Sequence, residues 1–139
     1  MTAITEATVA DAAAVIALWH ACDLTRPWND PDGDFRRALE YTGSTVLIAT
    51  RSGEIAGSAM TGVDGHRGWI YYLAVTPTRR GEGIASLLID ACCDWLQARD
   101  CPKVELMVRD GNPAAAFYDR LGWEPQAVNV YARWLAKTA

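Results

Sequence analysis

The chain has 139 residues, with 13 Lys or Arg against 17 Asp or Glu, for a formal net charge of −4. That length makes one domain, 1–139, able to bury roughly two thirds of its unfolded surface without a staple. The acidic balance, with no basic run longer than Arg79-Arg80, argues against a nucleic-acid partner, and no apolar run approaches the ~20 residues of a membrane span.

The first residues lack the basic-then-apolar order of a secretory signal, so the expected location is cytoplasmic. Cys22, Cys92, Cys93 and Cys101 show no C-x-x-C spacing, and His20 and His66 are the only histidines. No metal site is expected, and the thiols read as reduced and mostly packing.

Residues 2 to 7 form an expected first strand, and Thr8 with Asp11 resembles a capping box at a helix start. Ala12, Val15, Ile16, Trp19 and Cys22 then recur at the spacing that packs a helix on a sheet. From Cys22 to Pro31 two prolines bracket Trp28 among polar residues with no periodicity. Trp28 either anchors that loop to the core or lines a substrate pocket. Asp34 is placed to cap a second helix carrying Phe35, Ala38 and Leu39, which ends by Gly43.

Thr45 to Arg51 and Ile55 to Thr61 are strand-like and joined by Ser52-Gly53-Glu54, a loop of hairpin chemistry. A second turn, Asp64-Gly65-His66-Arg67-Gly68, leads into a strand from Trp69 to Val75. Strict alternation puts Trp69, Tyr71, Leu73 and Val75 on one face of it and Ile70, Tyr72 and Ala74 on the other.

Pro77 then stops strand pairing, and from Gly83 the pattern is helical. A strand that runs through a glycine-punctuated loop into a helix aims the first backbone N–H groups of that helix, with its dipole, into the loop. The natural occupant is a phosphate, with Gly81 and Gly83 allowing close approach and Arg79 and Arg80 adding charge. A tight turn without a ligand is the alternative. Neither the ATP-type loop G-x-x-x-x-G-K-[ST] nor the dinucleotide fingerprint G-x-G-x-x-G fits, since the third glycine position of the latter is Ser86.

The helix after the loop shows a stripe of Ile84, Leu87, Leu88, Ala91, Trp95 and Leu96, with Ser86, Asp90, Asp94 and Gln97 facing water. Lys103 to Arg109 is strand-like. Asn112-Pro113 opens a helix carrying Ala114, Phe117, Tyr118 and Leu121, which Gly122 ends. Val128 to Leu135 is expected as a closing strand, whose Tyr131 and Trp134 serve either the core or a dimer contact, so monomer and homodimer both remain.

Arg80-Gly81-Glu82-Gly83-Ile84-Ala85 resembles the [QR]-x-x-G-x-[GA] signature of the GNAT superfamily of N-acetyltransferases. Asn112, Ala115, Tyr118, Leu121, Gly122 and Trp123 look like its second motif, N-x-x-A-x-x-[FL]-Y-x-x-[LK]-G-[FWY]. The order of elements is also that of this superfamily. Residues 23–31 with 64–68 are similar to its YpeA-type subgroup.

The resemblance implies an α/β GNAT fold: a mixed, mostly antiparallel central sheet, splayed at its two middle strands and flanked by about four helices. It implies acetyl-CoA as acyl donor, held by main chain of Leu73, Ala74 and Val75, by the loop Arg80, Gly81, Glu82, Gly83, Ile84 and Ala85, and by Asn112 and Tyr118. A backbone N–H near Ala74 would polarise the thioester carbonyl, and Tyr118 would protonate the departing thiolate. The acceptor implied is a small-molecule or peptide amine, with Asp23, Arg26, Trp28, Asn29, Asp64, His66 and Tyr71 as its candidate contacts.

The chain departs from the pattern at the base. Where many relatives carry a glutamate this chain has Tyr71 and Met107, so Glu105, on the same strand face as Met107, is the first substitute, with Asp64 and His66 behind it. The missing glutamates keep open an acyl-CoA-binding sensor or pseudoenzyme. An unrelated α/β ligand-binding domain is the third reading.

Overall fold

A computed structural model of the protein describes residues 1–136. The chain resolves into two compact units, one from Met1 to Leu106 and one from Met107 onward. The first holds strands β1 (Thr2–Glu6), β2 (Ser44–Arg51), β3 (Glu54–Val63), β4 (Gly68–Val75) and β5 (Val104–Glu105), and helices α1 (Ala12–Ala21), α2 (Pro31–Glu40) and α3 (Ile84–Gln97). The second holds α4 (Ala114–Arg120).

The five strands lie in sequence order, β1 to β4 antiparallel and β5 parallel to β4. One face packs on α1 and α2, through Val15, Leu18, Trp19, Phe35 and Ala38 against Val46, Ile48 and Ala74. The other face receives α3, whose Ile84, Leu88, Ile89, Cys92 and Leu96 are buried. Two glycines let α3 come close. A Cβ on Gly57 would lie 3.0 Å from atoms of Ile84 and Leu88, and one on Gly68 would meet Leu96 at 2.7 Å.

Several details differ from the sequence reading. The α3 stripe is rotated: Ile89 and Cys92 turn inward, and Leu87 is 44% exposed. Burial pushes the Cys92 thiol up to about 12, which fits a packing role. Asp30, not Asp34, caps α2, accepting from the Gly33 N–H with Pro31 in the first turn. Asp34 lies inside the helix, paired to Arg37. The Thr8–Asp11 contact exists as a Thr8 N–H donated to the Asp11 carboxylate, but it opens a short 3-10 turn, Val9–Asp11, ahead of α1.

Two expected strands are curtailed. Lys103 to Arg109 pairs only at Val104 and Glu105, and Val128 to Leu135 is not a strand. Its Val128, Val130, Tyr131, Trp134 and Leu135 are between 66% and 95% exposed. Apolar β-formers record a readiness to pair, whereas a strand also requires a hydrogen-bonded neighbour; among the described residues the first segment is paired only at Val104 and Glu105, and the second nowhere.

The alternation expected along β4 also breaks. Tyr71 pairs with Met60, and the next partners are Ala74 with Ser58, so β4 carries one more residue than β3 over that interval. Such a bulge shifts the alternation by one. Ile70, opposite Thr61, therefore faces α3, while Ala74, opposite Ser58, faces α1 and α2.

Gly57→Ala tests how α3 is seated. Its methyl would fall 2.9 Å from the Ala74 carbonyl oxygen, an overpacking that costs about 1–3 kcal/mol. The expected outcome is a lowered Tm, and an unchanged Tm would show that α3 is not held at this point.

Candidate active site

The turn after β4 leads through a 3-10 segment, Pro77–Arg79, to α3. Gly81 and Gly83 have φ of +84° and +81°, the left-handed region that a side chain disfavours, and a Cβ on either would meet nothing within 4 Å. The glycines are thus required by dihedral angle, and the space beside them is open. Gly83 caps α3 with no side-chain hydrogen bond at the tip. The first N–H groups of a 14-residue helix are thereby directed at that open space.

The charges around the loop are arranged unequally. Glu82 takes Arg51 at 2.9 Å and Arg79 at 3.6 Å. Arg79 is therefore neutralised locally. Arg80 is exposed, donates to the Val75 carbonyl at 3.3 Å and lies 3.7 Å from the Cys22 sulfur, whose thiol donates to the same carbonyl.

β5 ends at Glu105, so β4 has no strand neighbour on that edge beyond Trp69, among the described residues. The main chain from Ile70 to Val75 can accept another extended backbone there. On the α1/α2 face beside this edge, the Trp69 and Tyr71 rings stack at 6.3 Å, and Tyr71 is 41% exposed. Burial, then the Asp64 charge, raise the Tyr71 phenol above its ordinary value. Glu105 pairs in register with Trp69 and so shares this face, with Arg67 3.8 Å from its carboxylate.

Several expected substrate contacts serve their own loops. Asp64 accepts the N–H groups of His66 and Arg67, both at 2.8 Å, and the Trp69 indole at 3.3 Å. The backbone bond from Arg67, then those from His66 and Trp69, hold its carboxyl below the ordinary range. His66 is exposed at the tip of the turn. Arg26 donates to the carbonyls of Asp23 and Thr25, and Asn29 accepts the Arg26 N–H. Trp28 is 46% exposed, so its ring is not a core anchor.

The remaining site residues belong to the second unit. Asn112 accepts the Ala114 N–H at 2.8 Å and so caps the start of α4. Tyr118 is half-buried on α4, edge-on to Phe117 at 5.1 Å and to Trp123 at 5.7 Å. Sequence reasoning put Tyr72 and Asp34 on their elements but did not link them. The Tyr72 phenol donates to Asp34 at 2.8 Å, and its ring stacks on Trp19 at 4.0 Å. Only the Tyr-Tyr pair in a strand hinted at this, since a bulge has no reliable sequence mark.

A strand leading through a glycine loop to a bare helix tip, with an open strand edge, is an arrangement able to receive an anion and an extended backbone-like arm. The model of the acetyltransferase (GNAT) family matches residues 14–123, and the chain belongs to that family. It is an acyltransferase. An acetyltransferase of Pectobacterium atrosepticum is 51% identical over 115 residues, 82% of each chain. Among solved structures, a predicted acetyltransferase with acetyl-CoA from Clostridium acetobutylicum superposes with a TM-score of 0.77 at 19% identity over 96% of each chain. The glucosamine-6-phosphate N-acetyltransferase of Arabidopsis thaliana gives 0.78 at 17% identity, over 98% of this chain and 99% of that one. These two structural likenesses show the fold.

Asp64 offers a test by pH. Its folded pKa lies below the unfolded 3.8, so its contribution is present above 3.8 and is lost as pH falls through the folded value. The Tm gap between the parent and Asp64→Ala should stay constant from pH 7 to about 5 and narrow below about 4. A gap unchanged down to pH 2 would contradict the role given to the ionised carboxylate.

Proposed function

We propose that the protein transfers the acetyl group of acetyl-CoA to a primary amine, by direct attack in a ternary complex, and that it belongs to the YpeA-type subgroup. One observation carries the donor: the bare helix tip at Gly83 beside an open strand edge suits a diphosphate followed by an extended amide-bearing arm. The Arg80 to Ala85 loop would bind the diphosphate through N–H groups and the Arg80 guanidinium. Main-chain groups of Leu73 to Val75 would pair with the arm, and the family resemblance assigns the amide of Asn112 to it as well. Bound there, acetyl-CoA supplies an activated thioester carbonyl.

The chain's own residues then have distinct tasks. A backbone N–H near Ala74 stabilises the carbonyl oxygen as it gains charge. By the family resemblance, Tyr118 would give a proton to the departing sulfur. Glu105, on the face of Trp69 and Tyr71, accepts the proton lost by the amine. Trp28, Tyr71 and the two turns at residues 23–29 and 64–66 border the acceptor.

Magnitudes select the acceptor. A lysine with pKa ~10.4 must give up a proton at a cost of about 4.6 kcal/mol at pH 7, whereas an α-amine near 7.7 to 8.0 costs about 1 kcal/mol. Glu105 is held by Arg67, and Asp64 is committed to its turn. A site equipped in this way favours an amino acid, a peptide N-terminus or another weakly basic amine.

Turnover of acetyl-CoA across amino acids, peptides and polyamines tests the reading. α-Amines should be acetylated and internal lysines poorly. Tyr118→Phe and Glu105→Gln should each lower turnover by about 10²-fold or more. Unchanged turnover in Tyr118→Phe would remove it as the acid, while tight donor binding without thiol release over the whole panel would make the chain an acyl-CoA sensor.

A further inference from the structure

We propose that Tyr72, with Asp34 and Trp19, is a clamp that positions the Leu73–Val75 main chain for the acyl-donor arm. The inference rests on the donor reading above, and assigns these side chains a positioning role rather than contact with reacting atoms.

The geometry starts at the backbone. Tyr72 has φ of +52°, in the left-handed region. A bulky residue there costs on the order of 1–3 kcal/mol and persists only where its surroundings over-determine it. It occupies the bulge, the interval in which β4 gains a residue on β3. Everything from Leu73 to Val75 is aimed by how that extra residue is accommodated.

Both strands of the bulge are tied to one indole. The Trp19 ring, fully buried, lies parallel to the Tyr72 ring within 7° at 4.0 Å, which fixes the β4 side. Its Nε1 donates to the Ser58 hydroxyl at 3.0 Å, and Ser58 is the buried β3 residue directly opposite Ala74. The Tyr72 phenol supplies the third attachment by donating to Asp34 at 2.8 Å, and Asp34 is itself held by Arg37. Loss of the phenol bond leaves the ring held by the stack alone and lets the peptide units that follow it relax toward ordinary β geometry.

The test compares two ligands by calorimetry: acetyl-CoA, and 3′-phosphoadenosine 5′-diphosphate, which has the nucleotide but no arm. Tyr72→Phe and Asp34→Ala should each weaken acetyl-CoA about tenfold while leaving the nucleotide half within about twofold, and the double variant should be no worse than either. Asp34→Asn, whose amide oxygen still accepts the phenol, should restore most of the affinity. Equal losses for both ligands would mean general loosening and would overturn the clamp. So would no loss for either, or additive effects in the double variant. If the parent itself binds neither ligand, the donor reading falls and takes the clamp with it. If the parent binds both and the variants match it, the clamp alone falls.

Discussion

One additional residue in β4 sets the geometry of the open edge. A regular antiparallel pair would keep Ile70, Tyr72 and Ala74 on a single face. The bulge instead turns Ala74 toward α1 and α2 while Ile70 stays under α3. Immediately beyond it, β4 is without a strand neighbour on its β5 side, among the described residues. A bulge is therefore found where the pairing partner ends, which is the combination that re-aims main-chain donors and leaves them available. A left-handed tyrosine is tolerable there because it stacks on a fully buried indole.

The second constraint is electrostatic. The chain is acidic overall, and the loop before α3 carries two arginines, yet they are not equivalent. Glu82 gathers Arg51 and Arg79 into one partly exposed cluster, whose internal attraction is modest beside water. Arg80 makes only hydrogen bonds to a carbonyl and a thiol in the described contacts, both neutral partners. Its charge is therefore oriented without being cancelled. Together with the bare tip of α3, this concentrates positive potential at one point of an otherwise negative protein.

Much of this was legible in the sequence, and the failures have physical causes. The glycine loop and the helix after it were readable because Gly81, Gly83 and Pro77 encode dihedral angles locally. The hairpin order β2-β3-β4 followed from turn chemistry at Ser52-Gly53 and Asp64-Gly65. The α2 cap was misplaced by four residues because Asp30 and Asp34 are both able caps, and Pro31 at the first turn should have decided between them. The Tyr72–Asp34 bond joins residues 38 apart and the bulge arises in the pairing of β3 with β4, neither of which a local pattern carries. Val128 to Leu135 has the composition of a strand, but a ladder is a property of two segments.

The loops that border β4 show how charge is used in this molecule. Asp23, Arg26 and Asn29 close one loop on itself. Asp64 closes the next turn, and Arg67 faces Glu105. Polar side chains that a composition-based reading would hand to a ligand are thus engaged in shaping backbone. The large apolar side chains left most exposed on these elements are Trp28 on the first loop and Tyr71 on the strand. Rings present area with little conformational entropy to lose on binding, and their faces can attract an ammonium as well as pack an apolar stem. On the proposed reading, the proton is then removed before or during attack at little cost only if the amine is a weak base. On that reading most of the polar groups build the loops, and the rings are available to the acceptor.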